Sequence, residues 1–177
     1  MATMSEWFFD KALPTIIGST VSALVALSVL YLGRKRELRK LSLDMYKELY
    51  SQESSSDRSK TEKMVLDRPE IDWNNVDPYS LSDIDELRDG YANLTRFFVR
   101  LSIIYNEKEL DRKLADKLFS YVAGYWWGII YERIVSRDNM YTKNDIVYIF
   151  RSFENGSKSN DFSAGYQSAL KIRKNKA

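Results

Sequence analysis

Residues 12–33 form the one long uncharged stretch of the chain, and they read ALPTIIGSTVSALVALSVLYLG. At about 1.5 Å per residue, a helix of this length is roughly 33 Å long and matches the ~30 Å hydrocarbon core of a bilayer. A cleaved signal peptide begins with a basic segment and has a shorter apolar run. The N-terminal head before this stretch instead contains two acidic residues, Glu6 and Asp10, and one basic residue, Lys11. A core helix, the other alternative, has no need to be apolar on every face. The stretch therefore predicts a transmembrane helix.

The charges that flank the stretch predict its orientation. Five basic residues follow it, with a single Glu37 among them: Arg34, Lys35, Arg36, Arg39 and Lys40. Because basic loops stay in the cytoplasm, we expect the N-terminus outside the cell and the C-terminal domain inside. The predicted organisation is a head and membrane span at 1–33, in contact with lipid, followed by a cytoplasmic domain at 34–177.

One face of the predicted span is small and weakly polar. At 100° per residue this face carries Thr15, Gly18, Ser19, Ser22 and Ala26. Small residues four apart let the backbones of two helices approach closely, which predicts association of several copies into a homo-oligomer. In a ring of copies the same face would line a water-filled pore. Packing alone and packing around a pore both remain open.

The rest of the chain predicts an all-α protein. Leu38, Leu41, Met45 and Leu49 continue the helical register beyond the span, and no alternating strand pattern of useful length appears. Two strongly periodic helices are predicted at about 82–105 and from about Glu109 onward, joined by a short connection at Asn106-Glu107. Two shorter helices are predicted from Thr142 to about 155 and from Phe162 to about Ile172. The domain should therefore be a bundle of four to five helices.

Two segments of the cytoplasmic domain lack an apolar period. Residues 51–60, SQESSSDRSK, are polar and serine-rich, and they predict a flexible connector. Residues 171–176 form a basic C-terminal tail that we expect to be frayed.

Trp126 and Trp127 lie within the second periodic helix. Aromatic residues on an amphipathic helix usually belong to a core or a partner interface. Two consecutive residues of a regular helix do not both face inward, so we expect one of them to cover a second surface. That surface would belong to a neighbouring subunit or to the long helix that leaves the membrane.

The residue types present restrict the chemistry. The chain contains no histidine and no cysteine, which excludes histidine relays, catalytic triads and thiolate metal sites. The sequence has no glycine-rich phosphate-binding loop. With 27 basic and 25 acidic residues, the chain has no strong positive electrostatic field that would attract nucleic acid. We therefore predict no catalytic residue, no metal and no cofactor.

Two segments, YANLTRFFVRLSIIYNEKELD at 91–111 and FSYVAGYWWGIIYERIVSRDN at 119–139, follow a single span. In this arrangement the chain resembles the small membrane proteins encoded beside the RNA-guided RNA-cleaving effector of type VI-B CRISPR systems. The resemblance covers nearly the whole chain without a short invariant motif. It implies a divergent HEPN-like bundle, a bacterial inner membrane, and a helper in antiviral defence that is functionally linked to that effector and increases membrane permeability.

HEPN ribonucleases pair an arginine with a histidine four to six residues later, and this chain has no histidine to take that role. Asparagine stands at such a spacing in three places: Arg88 with Asn93, Arg100 with Asn106, and Arg137 with Asn144. An amide does not exchange a proton near neutral pH, so a relic pair of this kind would be structural or would contact RNA. A membrane-bound RNase and a passive adaptor that docks the nuclease are the alternatives to a membrane-permeabilising effector.

Overall fold

The computed structural model describes residues 13–67, 85–132 and 140–176. These ranges contain six α-helices and no strand: α1 Leu13–Leu49, α2 Gln52–Asp67, α3 Asp85–Asn106, α4 Arg112–Trp126, α5 Met140–Glu154 and α6 Ser159–Lys176. A π-helical turn, Trp127–Tyr131, extends α4. The all-α prediction is confirmed. The predicted start of α3 near Ser82 lies outside the described residues.

The first helix confirms that the register of the apolar stretch continues past Gly33. It runs without a break to Leu49, and its last turns bury Met45 and Leu49. The chain divides within this helix into two compact units, Met1–Leu38 and Arg39–Ala177. Apolar side chains of the first unit are exposed, with Leu24 at 59% and Leu30 at 69%. By length and composition α1 could cross a membrane, as predicted.

The prediction of a flexible connector at 51–60 is wrong, because these residues begin the helix α2. The Ser51 hydroxyl accepts a hydrogen bond from the backbone N–H of Ser54 (3.3 Å), which satisfies one of the free donors of the first turn. The last turns of α2 bury Thr61, Met64 and Val65. Burial at one end therefore stabilises a helix whose serine-rich start has a low intrinsic helix propensity.

Aromatic side chains fill the core of the second unit. Phe98 of α3 and Tyr131 of the π-turn both pack on Phe150 of α5, with ring centroids 4.9 and 5.1 Å away. Phe119 and Phe153 continue this cluster with centroids 6.3 Å apart, and all five rings are almost completely buried. Aromatic groups of this size bury large apolar areas, so they dominate the stability of the bundle.

Helices α4 and α6 approach each other so closely that glycine is required at their crossing. A β-carbon on Gly124 would overlap with the Phe162 carbonyl oxygen, and one on Gly165 would overlap with that of Tyr121. One turn along, a β-carbon on Gly128 would lie 2.8 Å from the Ala169 β-carbon. Small residues at four-residue spacing thus place the two backbones in direct contact.

The connection between α3 and α4 is short, as predicted, although α4 begins at Arg112 rather than near Glu109. Lys108 takes a left-handed conformation (φ 59°), and Asp111 caps α4 by accepting a hydrogen bond from the backbone N–H of Leu114 (3.2 Å). The Ser42 hydroxyl of α1 accepts a bond from the Asp111 backbone N–H (3.2 Å). The cap therefore ties the end of α1 to the bundle.

A buried carboxylate holds the turn between α5 and α6. Asp116 accepts hydrogen bonds from the Tyr105 hydroxyl (3.0 Å), the Ser157 hydroxyl (2.8 Å) and the Ser157 backbone N–H (3.3 Å). Burial, together with the neighbouring Asp116 carboxylate, raises the pKa of Tyr105 to about 12. Since these hydrogen bonds join α4 to α3 and to the turn after α5, Asp116 has a structural role.

Candidate functional site

The small face of α1 is the first candidate site, and none of the described residues packs on its glycine. A β-carbon on Gly18 would meet no heavy atom within 4 Å. Ser19, Ser22 and Ala26 are exposed on the same face. The side chain of Thr15 lies outside the described residues.

Two serine hydroxyls in the apolar part of α1 form hydrogen bonds within the helix itself. The Ser22 hydroxyl donates to the Gly18 carbonyl oxygen (2.9 Å), and that of Ser28 donates to the Leu24 carbonyl (2.8 Å). In hydrocarbon an unpaired hydroxyl costs free energy, and these internal bonds remove that cost. A surface of this kind can lie against lipid, against another helix or against water.

Arg100 was predicted to pair with Asn106, but its ion-pair partner is a different residue. The Arg100 guanidinium of α3 forms an ion pair with the Glu48 carboxylate of α1, and both side chains are about half exposed. Asn106 ends α3 and is exposed. The ion pair joins the last turn of α1 to α3.

Asn93, from the predicted Arg88–Asn93 pair, also contacts a neighbouring helix. Its side-chain amide donates to the Asp57 carboxylate of α2 (2.8 Å). Arg88 belongs to α3 and Asn144 to α5, but their side chains lie outside the described residues, as does the whole of Arg137. The contacts of Arg88–Asn93 and Arg137–Asn144 therefore remain predictions.

Asn93 and Arg100 line the same cleft, and this is the second candidate site. The cleft has a volume of about 340 Å³ and lies between the end of α1, α2 and α3. Its charged walls are formed by Glu48, Glu53, Asp57, Arg58, Arg96 and Arg100. Sequence reasoning missed it because residues 51–60 were expected to be a connector, which leaves the cleft without one wall. The stripe of Asn93, Arg96 and Arg100 at helical spacing is the signal that could have indicated it.

The tryptophan pair was expected to have one member covering a second surface, and that expectation stays a prediction. Trp126 is buried, while Trp127 is half-buried against Phe150 of α5, with ring centroids 5.2 Å apart. The Arg151 guanidinium lies 5.9 Å from the centroid of the Trp127 ring. Both tryptophans therefore contact the bundle.

The π-helical turn explains this placement. A π-turn inserts one extra residue into a helical turn, so the buried face shifts and the consecutive residues 128–131 are all buried. The Gly128 carbonyl oxygen accepts a hydrogen bond from the Arg173 guanidinium of α6 (2.8 Å). Tyr166 of α6 donates to the Glu132 carboxylate directly after the turn (2.7 Å), and together these bonds hold α6 on it.

Within the ranges that the structure describes, no cluster of three or more acidic residues could hold a metal ion. Comparisons of the chain with protein-family models, with curated proteins and with solved structures give no match. The span face and the cleft are therefore interpreted from their own chemistry.

Proposed function

We propose that this protein is a non-enzymatic, single-pass membrane effector that assembles through the small face of α1 and thereby permeabilises the membrane. The observation that carries the proposal is the surface around Gly18: a stripe of small residues on a long apolar helix, with no residue of the described ranges packed on the glycine. Small residues on membrane helices mostly serve close helix packing.

The orientation and the biological setting belong to the same proposal. The basic residues after the span favour a bundle in the cytoplasm and an N-terminus on the other side of the membrane, and the resemblance implies that this membrane is a bacterial inner membrane. The resemblance to the type VI-B accessory proteins supports a role in antiviral defence, with permeability rising after the RNA-guided effector has been activated. A HEPN-like identity of the bundle rests on that resemblance alone.

A membrane-bound RNase has weaker support. The chain has no histidine, and the arginine of one candidate pair, Arg100, is in an ion pair with Glu48. A passive adaptor would need no small face in its span, so the stripe favours assembly over simple anchoring.

The test replaces the small polar face by a bulky apolar one. Ser19→Leu together with Ser22→Leu keeps the helix apolar enough to insert, yet it removes the close contacts and narrows any conduit. We expect the leakage of a membrane-potential dye to fall to the level of cells without the protein. The replacements Ser19→Thr and Ser22→Thr should retain most of the leakage.

The matched control makes the same chemical change on the opposite face. Thr20→Leu together with Ser28→Leu also exchanges two hydroxyl residues for leucine, but these positions lie on the far side of the helix from the middle of the small face. This variant should depolarise cells as the wild type does. If the Ser19/Ser22 variant depolarises equally well at equal expression, the span is only a tether.

A further inference from the structure

A run of basic residues surrounds α1 directly after its apolar part. Residues 34–40 contain five basic residues and one acidic residue, Glu37, which give the run a net charge of +4. At 100° per residue the five basic side chains are distributed over about 240° of the helix circumference, so they do not form a single face. We call these five residues the basic collar: Arg34, Lys35, Arg36, Arg39 and Lys40.

The described residues do not neutralise the basic collar. All five basic side chains are exposed. Arg39 lies 3.8 Å from the Asp111 carboxylate, and its side chain is still 60% exposed. The other four make no ion pair with the part of the chain that the structure describes. The cleft between α2 and α3, in contrast, has three carboxylates against three guanidiniums. Excess positive charge is therefore a property of the collar and not of the cleft.

The apolar part of α1 places the basic collar at the level of the lipid headgroups. Leu30 and Leu32 are exposed apolar side chains, and the exposed Tyr31 between them is of the type that lies at a membrane–water interface. At about 1.5 Å per residue, residues 34–40 extend about 10 Å along the helix axis, which is enough to cross a headgroup layer of roughly 5–8 Å. Long lysine and arginine side chains also bend back toward this layer.

We propose that the basic collar binds the phosphate groups of anionic phospholipids in the leaflet that surrounds it. The guanidiniums of Arg34 and Arg36 form paired, charge-assisted hydrogen bonds with phosphate oxygens, and the Lys35 ammonium adds a compact positive charge. A cluster of about four or more basic residues directly after a span is typical of anionic-lipid binding. The proposal rests on the membrane-spanning role of α1, is independent of its assembly, and gives the collar a ligand in addition to its effect on orientation.

Energy transfer in reconstituted vesicles tests the proposal. The full chain with Ser28→Cys, labelled with a donor dye, is placed in phosphatidylcholine vesicles that contain a trace of lipid with an acceptor dye on an acyl chain. This labelled lipid is either phosphatidylglycerol or phosphatidylcholine. We expect more transfer to phosphatidylglycerol, because the anionic lipid is enriched around the collar. Both leaflets contain the same lipids, so the direction in which the chain inserts does not affect the result.

Two triple variants with the same change in net charge make the test specific. Arg34→Gln, Lys35→Gln and Arg36→Gln together should lower the enrichment of phosphatidylglycerol about fivefold or more. The control removes three exposed positive charges from the bundle by Lys158→Gln, Lys171→Gln and Lys174→Gln, and it should leave the enrichment unchanged. An excess of soluble glycerol phosphate should also leave it unchanged, because this anion lacks the acyl chains that keep a lipid beside α1.

The outcomes separate this inference from the proposed function. A chain that inserts into the vesicles but transfers equally to both lipids overturns the inference alone. Equal losses in the two triple variants overturn it as well, because the attraction would then be a diffuse effect of net charge, and so does a loss caused by glycerol phosphate. A chain that does not insert contradicts the span itself. The Ser19→Leu and Ser22→Leu chain should retain the lipid enrichment, because the collar does not depend on assembly.

Discussion

The protein uses the same spacing of small residues in two regions, and the two regions differ in what packs on them. In the bundle, Gly124 of α4 and Gly128 of the π-turn face Gly165 and Ala169 of α6 at backbone contact. In the span, Gly18 with Ser22 has the same spacing, yet a β-carbon on Gly18 would meet nothing within 4 Å. The bundle therefore contains its own partner helix, whereas in the proposed assembly the partner of the span is another copy of the chain.

The comparison also separates fold stability from assembly. The contact between α4 and α6 is part of the single chain, so it contributes to the free energy of unfolding of each protomer. A contact through the span would contribute only when several copies meet in the membrane. Substitutions in the two regions should accordingly change different measurements.

The largest expected effect is that of Gly124→Ala. The new β-carbon would overlap with the Phe162 carbonyl oxygen, which moves only with the backbone of α6. Overpacking of this kind costs about 3 kcal/mol or more and outweighs the gain of about 1 kcal/mol in helix propensity. We expect the thermal midpoint of the bundle, followed by circular dichroism, to fall by roughly 10 °C or more.

The matched variant in the span is Gly18→Ala. It makes the same chemical change where the chain leaves open space, so the thermal midpoint of the bundle should not move. If Gly18→Ala lowers the thermal midpoint as much as Gly124→Ala does, the glycine of the span also packs on a helix of its own chain, and the difference between the two regions disappears. A Gly124→Ala protein as stable as the wild type would show that α4 and α6 are not in backbone contact.

A smaller effect is expected from alkaline pH, which acts on the bundle through its buried tyrosines. Burial raises the pKa of Tyr105 to about 12, and it also raises the pKa of Tyr125 and Tyr131. Because the folded state keeps these phenols protonated, stability is fully present below the ordinary pKa of about 10 and is lost as the pH rises through the folded value.

Urea unfolding at pH 9, 10 and 11 measures this loss. The midpoint should fall over this range, and Tyr105→Phe should make the fall shallower while lowering the midpoint at pH 9, because Asp116 loses a hydrogen-bond donor. A midpoint that is constant up to pH 11 would contradict the burial of these phenols.

The sequence could predict the features that depend on unbroken periodicity. Helix α1 was expected to run on to Leu49, and α3 to end near Asn106, because one apolar stripe marks each of them and polar residues follow. The serine-rich start of α2 was missed because its stability comes from burial at its other end and from contacts such as that of Asp57 with Asn93. Contacts between distant parts of a chain leave no local pattern.

The candidate sites were predictable to different degrees. The small face of α1 is visible from spacing alone, since a straight helix fixes which residues share a side. The contact of Trp127 with Phe150 is not visible from the sequence, because a pattern of 3.6 residues per turn does not include the π-turn, which shifts the buried face by one residue. The cleft around Arg96 needs α2 as a wall, so it appears only in the folded chain.

The most direct test of assembly through the small face is cysteine cross-linking in native membranes, for which the cysteine-free chain needs no background mutations. Single cysteines at Gly18, Ser22 and Ala26 should form disulfide-linked dimers under mild oxidation, because these positions would meet their equivalents in a neighbouring copy. Cysteines at Ile17 and Leu24, on the opposite face, should stay monomeric. Cross-linking that is equal at all five positions, or absent from the small face, would contradict the proposed assembly.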